Sequence, residues 1–385
     1  MAVDMSRKGE SPVIVAAWRT AIGRAGGLFR SRTVEQLAAP VIAQLLADAE
    51  LAANEVDEVW LGNALEGGNV ARRAALAGGL PPYVPAFTVD RQCAGGLDTI
   101  LTGVQRVAAG EAAVILAGGV ESCSTAPWRL NRPLTPAGLP EVAHRAPQSA
   151  PPYADPDPVA MADQLSGWAG IGRSAQDSWA ARSHAHAIAA MQSGAFDAER
   201  VGVFDAAAPE SDEAPKAGLT TARFGRLKPL GGGEKATATP GTTAPEADAA
   251  AAVLVMTAAM ADRLGLPHRM RLTGSAQAGC DPAWAGYAAV PAVQRLQQRG
   301  GNVALHRLEF NEAFAGQTLA CLQGAGLPQD RVSLNGGALA FGHPYGASGA
   351  LLALRLFHDL AVGETGLAAV SAMGGQGTAA LFERV

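Results

Sequence analysis

The residues best placed to do chemistry begin with Cys93, in Val89-Asp90-Arg91-Gln92-Cys93-Ala94-Gly95-Gly96-Leu97. An apolar, β-like run, Ala86 to Val89, precedes it. Leu97, Ile100, Leu101, Val104 and Val107 follow with helical period. Cys93 therefore stands where a strand ends and a helix begins. Unpaired N–H groups at a helix start favour a thiolate and lower a cysteine pKa. The alternative is a buried structural cysteine, a common fate for a free thiol. A second candidate is His343, in Gly342-His343-Pro344-Tyr345-Gly346, again just before a helix. An imidazole there could take the proton of Cys93 and activate it; otherwise it is a capping or surface histidine. Asn311 follows the strand Leu308-Glu309-Phe310. It could hold a water or donate to a developing oxyanion, or cap the helix beginning near Ala313. A glycine-rich turn, Ser371-Ala372-Met373-Gly374-Gly375-Gln376-Gly377, closes the set.

The elements that must position these residues alternate strand and helix, which argues an α/β fold with a mostly parallel, buried sheet. Strands are predicted at 12–17, 56–61, 86–89, 112–117, 249–256, 271–275, 307–310, 332–334 and 367–370. Helices are predicted at 70–80, 174–193 and 350–360. Thr33, with Gln36 three positions on, predicts another helix start. Between about 120 and 247 proline becomes dense, and one clear helix, 174–193, interrupts it. This reads as an inserted loop-rich domain, since so long a connection is usually functional. The expected division is 1–119 with 248–265, then 120–247, then 266–385. At an offset of 253 residues the chain resembles itself: Ala94-Gly95-Gly96 falls on Ala347-Ser348-Gly349, and Gly110-Glu111 on Gly363-Glu364. Two such units about a pseudo-twofold would bring the Cys93 and His343 loops together at strand ends, where open α/β sheets bind ligands.

Composition excludes several classes. The chain has 385 residues, 48% hydrophobic and 17% charged, with a net charge of −5. That describes a globular protein and argues against a nucleic-acid partner. The four cysteines form no CxxC pair, so no metal site or disulfide framework is expected. No apolar run approaches membrane-span length, and residues 1–10 lack the apolar core of a secretion signal. No membrane contact and a cytoplasmic location are expected. Gly231-Gly232-Gly233-Glu234-Lys235 lacks P-loop spacing. The remaining histidines, 144, 184, 186, 268, 306 and 358, show no partner in the sequence.

Taken together, Asp90-Arg-Gln-Cys93-Ala-Gly-Gly, Gly118-Gly-Val-Glu-Ser122, Asn311-Glu-Ala-Phe-Ala315, Gly342-His-Pro-Tyr-Gly-Ala-Ser-Gly349 and Gly374-Gly-Gln-Gly377 resemble the thiolase family over nearly the whole chain. The resemblance implies a duplicated five-layer αβαβα fold with an inserted loop domain. It implies that Cys93 accepts the acyl group as a thioester and that His343 activates it. Asn311 would hold the water of one oxyanion site, and the Cys93 N–H would serve the second. The implied reaction is 3-ketoacyl-CoA thiolysis, or the reverse Claisen condensation of acyl-CoA. Coenzyme A thioesters are then the substrates, with no metal or redox cofactor, and a homodimer or homotetramer is expected.

The chain departs from the family pattern in two places. Ser371 stands where the family has a second cysteine that acts as acid and base, and Met373 replaces a glycine. An alcohol does not ionise near neutrality, so weak or altered C–C chemistry is expected. On the coenzyme face, Ala244 and Pro245 replace a Ser-Gly, and Val159 to Ala162 replaces a His-Met-Gly stretch. Lys216 falls near a phosphate-contacting arginine of the family, and Ala313 and Phe314 near its pantetheine positions. Two alternatives follow: a condensing enzyme fed by another carrier such as acyl carrier protein, or a non-catalytic thioester-binding subunit.

Overall fold

The computed structural model describes residues 11–385 except 136, 144, 205–208, 234, 268 and 301–302. The expectations for residues 1–10, His144 and His268 fall outside it. Nine strands carry the fold: β1 (Pro12–Arg19), β2 (Glu58–Gly62), β3 (Ala86–Val89), β4 (Val114–Ser122), β5 (Ala247–Thr257), β6 (Met270–Gly279), β7 (Arg307–Phe310), β8 (Thr365–Ala372) and β9 (Gln376–Arg384). They run in the order β7-β8-β9-β6-β1-β5-β4-β2-β3. One residue pair, Ile14 with Met270, joins the C-terminal four to the N-terminal five.

The sheet is mixed, not mostly parallel. Only β2–β3, β2–β4 and β7–β8 pair in parallel among these strands. The returning strands β5 and β9 pair antiparallel on both sides. Ala-rich, fully apolar strands look alike in either direction, because both kinds are buried on two faces here.

Helices α1 (Val34–Asp48) and α2 (Val70–Ala77) cover the outer face of the N-terminal strands. Helices α6 (Ala289–Gly300) and α7 (Ala315–Ala325) cover the outer face of the C-terminal strands. Between the two sheets lie α3 (Gly95–Ala108) and α8 (Tyr345–Asp359). That is the five-layer αβαβα arrangement. Leu97 and Ile100 are fully buried in the middle layer; each contributes about 1.5–3 kcal/mol by leaving water.

The internal repeat is visible in how α3 and α8 touch. A Cβ at Gly96 would lie 2.9 Å from Ala350 N, and a Cβ at Gly349 would lie 2.6 Å from Leu97 N. Positions 96 and 349, and 97 and 350, are the same sites one repeat apart. Glycine at both lets the two helix starts meet backbone to backbone.

The segment between β4 and β5 is the insertion. The expected boundaries at 120 and 248 fall inside these two strands, which reach Ser122 and begin at Ala247. Besides α5 (Arg173–Gln192) it carries α4 (Pro158–Trp168). Proline density hid α4 from the sequence, yet Pro158 occupies its first turn, where a missing N–H costs nothing. Asp157 caps it by accepting from Val159 and Ala160 N–H. Buried charges anchor the insertion. Arg19 Nε donates to Glu199 at 2.7 Å and Arg19 Nη1 to Asp212 at 2.7 Å. Glu199 also meets Arg355 of α8 at 3.0 Å.

Two smaller expectations fail. Val332 to Leu334 forms only a bridge with Leu308, and Ser333 turns away at φ 47°. Strand β9, after the glycine-rich turn, is not among the predicted strands. The expected helix start holds: Thr33 is the N-cap residue of α1, and its N–H donates to Gln36 Oε1 at 3.1 Å.

Candidate active site

Strand β3 delivers the chain to Gln92, whose φ of 47° turns it sharply into a short 3₁₀ turn and then α3. Cys93 sits in that turn, at the expected junction. His343 lies in the corresponding turn before α8. Its Nε2 is 2.9 Å from Cys93 Sγ, and both side chains are buried. On the far side of the ring, Nδ1 is 2.7 Å from Ser348 Oγ. With Nδ1–H donating to Ser348, Nε2 is left to accept the thiol proton. The row Cys93–His343–Ser348 has the geometry that a nucleophile, a base and a group orienting the base require. Ser348 was quoted as part of the repeat and not as a site residue. Its i+5 spacing across a turn into the next helix was the available signal.

The expected lowering of the Cys93 pKa is not found. Burial, with the negative charges of Glu121 and Asp90, pushes the thiol up to about 12. Burial lowers His343 to about 4. Desolvation of the charged form outweighs the helix-start field at both groups. The resting pair is therefore a neutral thiol beside a neutral imidazole, and the thiolate forms only as the proton moves to His343.

Glu121, at the end of β4, ties residues 63–65, just after β2, to the start of α8. Its Oε1 accepts from Asn63 Nδ2 (2.8 Å) and Leu65 N–H (3.2 Å). Its Oε2 accepts from Ala64 N–H (2.9 Å) and Gly346 N–H (3.0 Å). Burial nevertheless raises it to about 7.

Asn311 continues β7, its N–H donating to Ala369 O at 3.1 Å. Leu308 and Phe310 face the outer layer, so alternation turns Asn311 inward. It is 2% exposed, and its Nδ2 has no protein partner. It is not a helix cap: α7 begins at Ala315, after Phe314. Glu312 accepts from Trp179 Nε1 and Ser183 Oγ.

One strip of chain ties the coenzyme candidates to the base. Ala244 N–H donates to Ala313 O at 2.9 Å, and Thr243 bridges Phe314. Two residues on, His343 N–H donates to Pro245 O at 2.8 Å, and Glu246 bridges His343. Ala244, Ala313, Phe314 and His343 are thus brought together. Lys216 is not among them. It is exposed beside α5, its N–H donating to His184 Nδ1. His306 and His358 likewise have backbone partners, Thr365 N–H and Ala17 O. A cavity of about 1460 Å³ opens between α4 and residues 230–233 and 235–237 and is lined by neither Cys93 nor His343.

Ser371 does not face Cys93. Its Oγ accepts from Ala289 N–H of α6 at 2.9 Å and lies beside Cys321 of α7. Along β8, Leu367 and Ala369 face the outer layer with Cys321. Ala368, Val370 and Ala372 face the middle layer with Cys93. Successive strand residues point to opposite faces, so the residue of this turn that faces inward is Ala372.

Among the described residues no group of three or more His, Cys, Asp or Glu could hold a metal ion, and no helix is long and apolar enough to cross a membrane.

Comparison with known proteins agrees with this geometry. The family model for "Thiolase, N-terminal domain" matches residues 12–259, and that for "Thiolase, C-terminal domain" matches residues 266–384. A putative acetyl-CoA C-acetyltransferase, VraB, of Staphylococcus aureus is 36% identical over 378 residues, covering 97% of this chain and 99% of its own. Its counterpart in Staphylococcus epidermidis is 37% identical over 382 residues, with the same coverage. The crystal structure of the Bacillus anthracis acetyl-CoA acetyltransferase superposes with a TM-score of 0.89 at 31% identity, covering 98% of this chain and 99% of that one. The chain belongs to the thiolase family of acyltransferases.

Proposed function

We propose that this enzyme takes an acyl group from an acyl-CoA onto Cys93 and passes it to a second acceptor. The observation that carries this reading is the buried 2.9 Å contact between Cys93 Sγ and His343 Nε2, with Ser348 behind it. His343 accepts the thiol proton as Sγ attacks the thioester carbonyl. It returns that proton to the departing coenzyme A thiol, leaving an acyl-thioester on Cys93. The free Nδ2–H of Asn311 supplies a donor for the oxyanion formed on the way. The strip Thr243 to Glu246, against Ala313 and Phe314, is the wall along which the pantetheine arm would reach the sulfur. The acetyl-CoA activity named for its relatives supports a coenzyme A thioester as donor. Lys216 sits beside α5 with its N–H on His184, so a role for it would be confined to the outer end of the coenzyme.

The test is acid-quenched incubation with acetyl-CoA followed by peptide mass mapping. One acetyl group on the Cys93 peptide is expected. An unmodified Cys93 peptide, or an acetyl group only on Cys123 or Cys280, would sink the reading.

A further inference from the structure

We propose that the enzyme exchanges acyl groups between thiols, from one pantetheine-type thioester to a second such thiol, and leaves carbon–carbon bonds intact. This rests on the acylation of Cys93 proposed above. Making or breaking a bond at the carbon next to a thioester carbonyl requires a group that removes or delivers a proton there. His343 Nε2 sits at the Cys93 sulfur and serves the thiol protons exchanged there, so a carbon–carbon step calls for a second group placed at that carbon. Besides Asp90, whose Oδ1 accepts from Gln92 N–H and Gln92 Nε2, the groups around Cys93 can be taken in turn.

On β8 the inward side chains are Val370 and Ala372, which carry no proton to trade. Ser371 points to the other face and accepts from Ala289 N–H. Its neighbour Cys321 donates its thiol proton to Gly286 O at 3.1 Å, in the outer layer. On β4, Glu121 has both oxygens occupied by four N–H donors, from Asn63, Ala64, Leu65 and Gly346. Using it as a base would give up bonds that tie residues 63–65 to the start of α8. Cys123, the next thiol along, is raised well above its ordinary pKa by burial and by three nearby carboxylates, Glu121, Glu246 and Asp248. On α8, the Tyr345 ring lies against His343, and its hydroxyl donates to Glu246 at 2.8 Å. Burial and that carboxylate hold the phenol protonated. Among the described residues, the one proton acceptor in hydrogen-bond contact with Cys93 is His343.

A single base suffices for thiol exchange. In the first half, Cys93 Sγ bonds to the acyl carbon, the carbon–sulfur bond to the donor thiol breaks, and the Cys93 proton reaches the donor sulfur through His343. In the second half, the acceptor thiol gives its proton to His343 and attacks the same carbonyl. The Cys93 carbon–sulfur bond then breaks, and Cys93 regains the proton. One thioester and one thiol become another thioester and another thiol, with no oxidant and no water consumed.

The test uses the full chain. Acetyl-CoA is supplied with pantetheine, and in a second arm with a phosphopantetheinylated acyl carrier protein. Acetoacetyl-CoA with coenzyme A is run in parallel. Acetyl transfer to at least one acceptor is expected, with acetoacetyl-CoA cleavage slower by about 10²-fold or more, the contribution of one acid–base group. Cleavage at a rate matching transfer would overturn the proposal. Acetyl on Cys93 without transfer to any thiol would overturn it too, while leaving the acylation reading intact; absence of acetyl on Cys93 removes both. Two variants test the faces of β8. Ala372→Cys places a thiol on the Cys93 side and is expected to raise acetoacetyl-CoA cleavage about tenfold or more. Ser371→Cys is expected to leave cleavage and exchange as they were. Cleavage gained by Ser371→Cys and not by Ala372→Cys would overturn the assignment.

Discussion

The turn at Cys93 and the turn at His343 are two copies of one backbone device with different chemistry on each. Both enter a middle-layer helix, and both place a glycine, Gly96 or Gly349, where the helices touch. Both turns bend through an unusual backbone angle, at Gln92 with φ 47° and at Tyr345 with φ 20°. One copy carries the sulfur and the other carries the nitrogen that serves it. The lesson is that duplication supplied the approach, and side-chain divergence supplied the reaction. Neither half has a complete site, because the nucleophile and its base lie 250 residues apart and meet only across α3 and α8.

Removing the chemistry from one turn should have the largest effect. Cys93→Ala should lower acyl transfer by at least about 10³-fold while leaving the melting temperature near wild type; steady-state acetyl transfer and calorimetry read both. His343→Ala should follow, at about 10²–10⁴-fold, through the acylation rate in a stopped-flow assay. A loss under tenfold would mean that Cys93 does not depend on the second turn. Between the two turns, Asn311→Ala should cost about 10²–10³-fold in turnover if its buried amide serves the oxyanion. Unchanged turnover would return Asn311 to a structural role.

Filling the shared contact tests the backbone half of the comparison. Gly96→Ala puts a methyl group 2.7 Å from Gly346 O and 2.9 Å from Ala350 N. Overpacking against backbone should cost about 1–3 kcal/mol or more, seen as a lower urea midpoint. The smallest effect belongs to Ser348→Ala, about tenfold in acylation, or the roughly 1.4 kcal/mol of one orienting hydrogen bond.

The pH dependence sharpens the same pair. Attack needs a neutral imidazole, and burial holds His343 at about 4. The acylation rate should therefore stay level as pH falls through 6.5 and decline only near 4. A decline centred on the ordinary histidine value would show that the ring is exposed to water before substrate binds.

Most of this was legible because it rests on residue type and local spacing. Cys93 and His343 are each followed at once by helical periodicity, and the repeat of small residues at 94–96 and 347–349 pointed to a symmetric meeting of helices. What failed did so for physical reasons. The family resemblance put Ser371 at the position of a second acid–base cysteine; strand side chains alternate, so a one-residue difference in register moves a group to the other layer. Glycine-rich turns tolerate such a shift and give no hydrophobic pattern to detect it. The Cys93 pKa was misjudged because a sequence reveals the field of a helix start but not the depth of burial, and burial dominates here. The strip from Thr243 to Glu246, which links His343 to Phe314 through backbone bonds, has no side-chain signature.

The most direct test of the paired turns is a rapid-quench count of coenzyme A released from acetyl-CoA when no acceptor thiol is present. The account predicts a burst of one coenzyme A per chain in the native enzyme, slowed severely in His343→Ala and absent in Cys93→Ala. A full burst in Cys93→Ala, or an undiminished rate in His343→Ala, would contradict it.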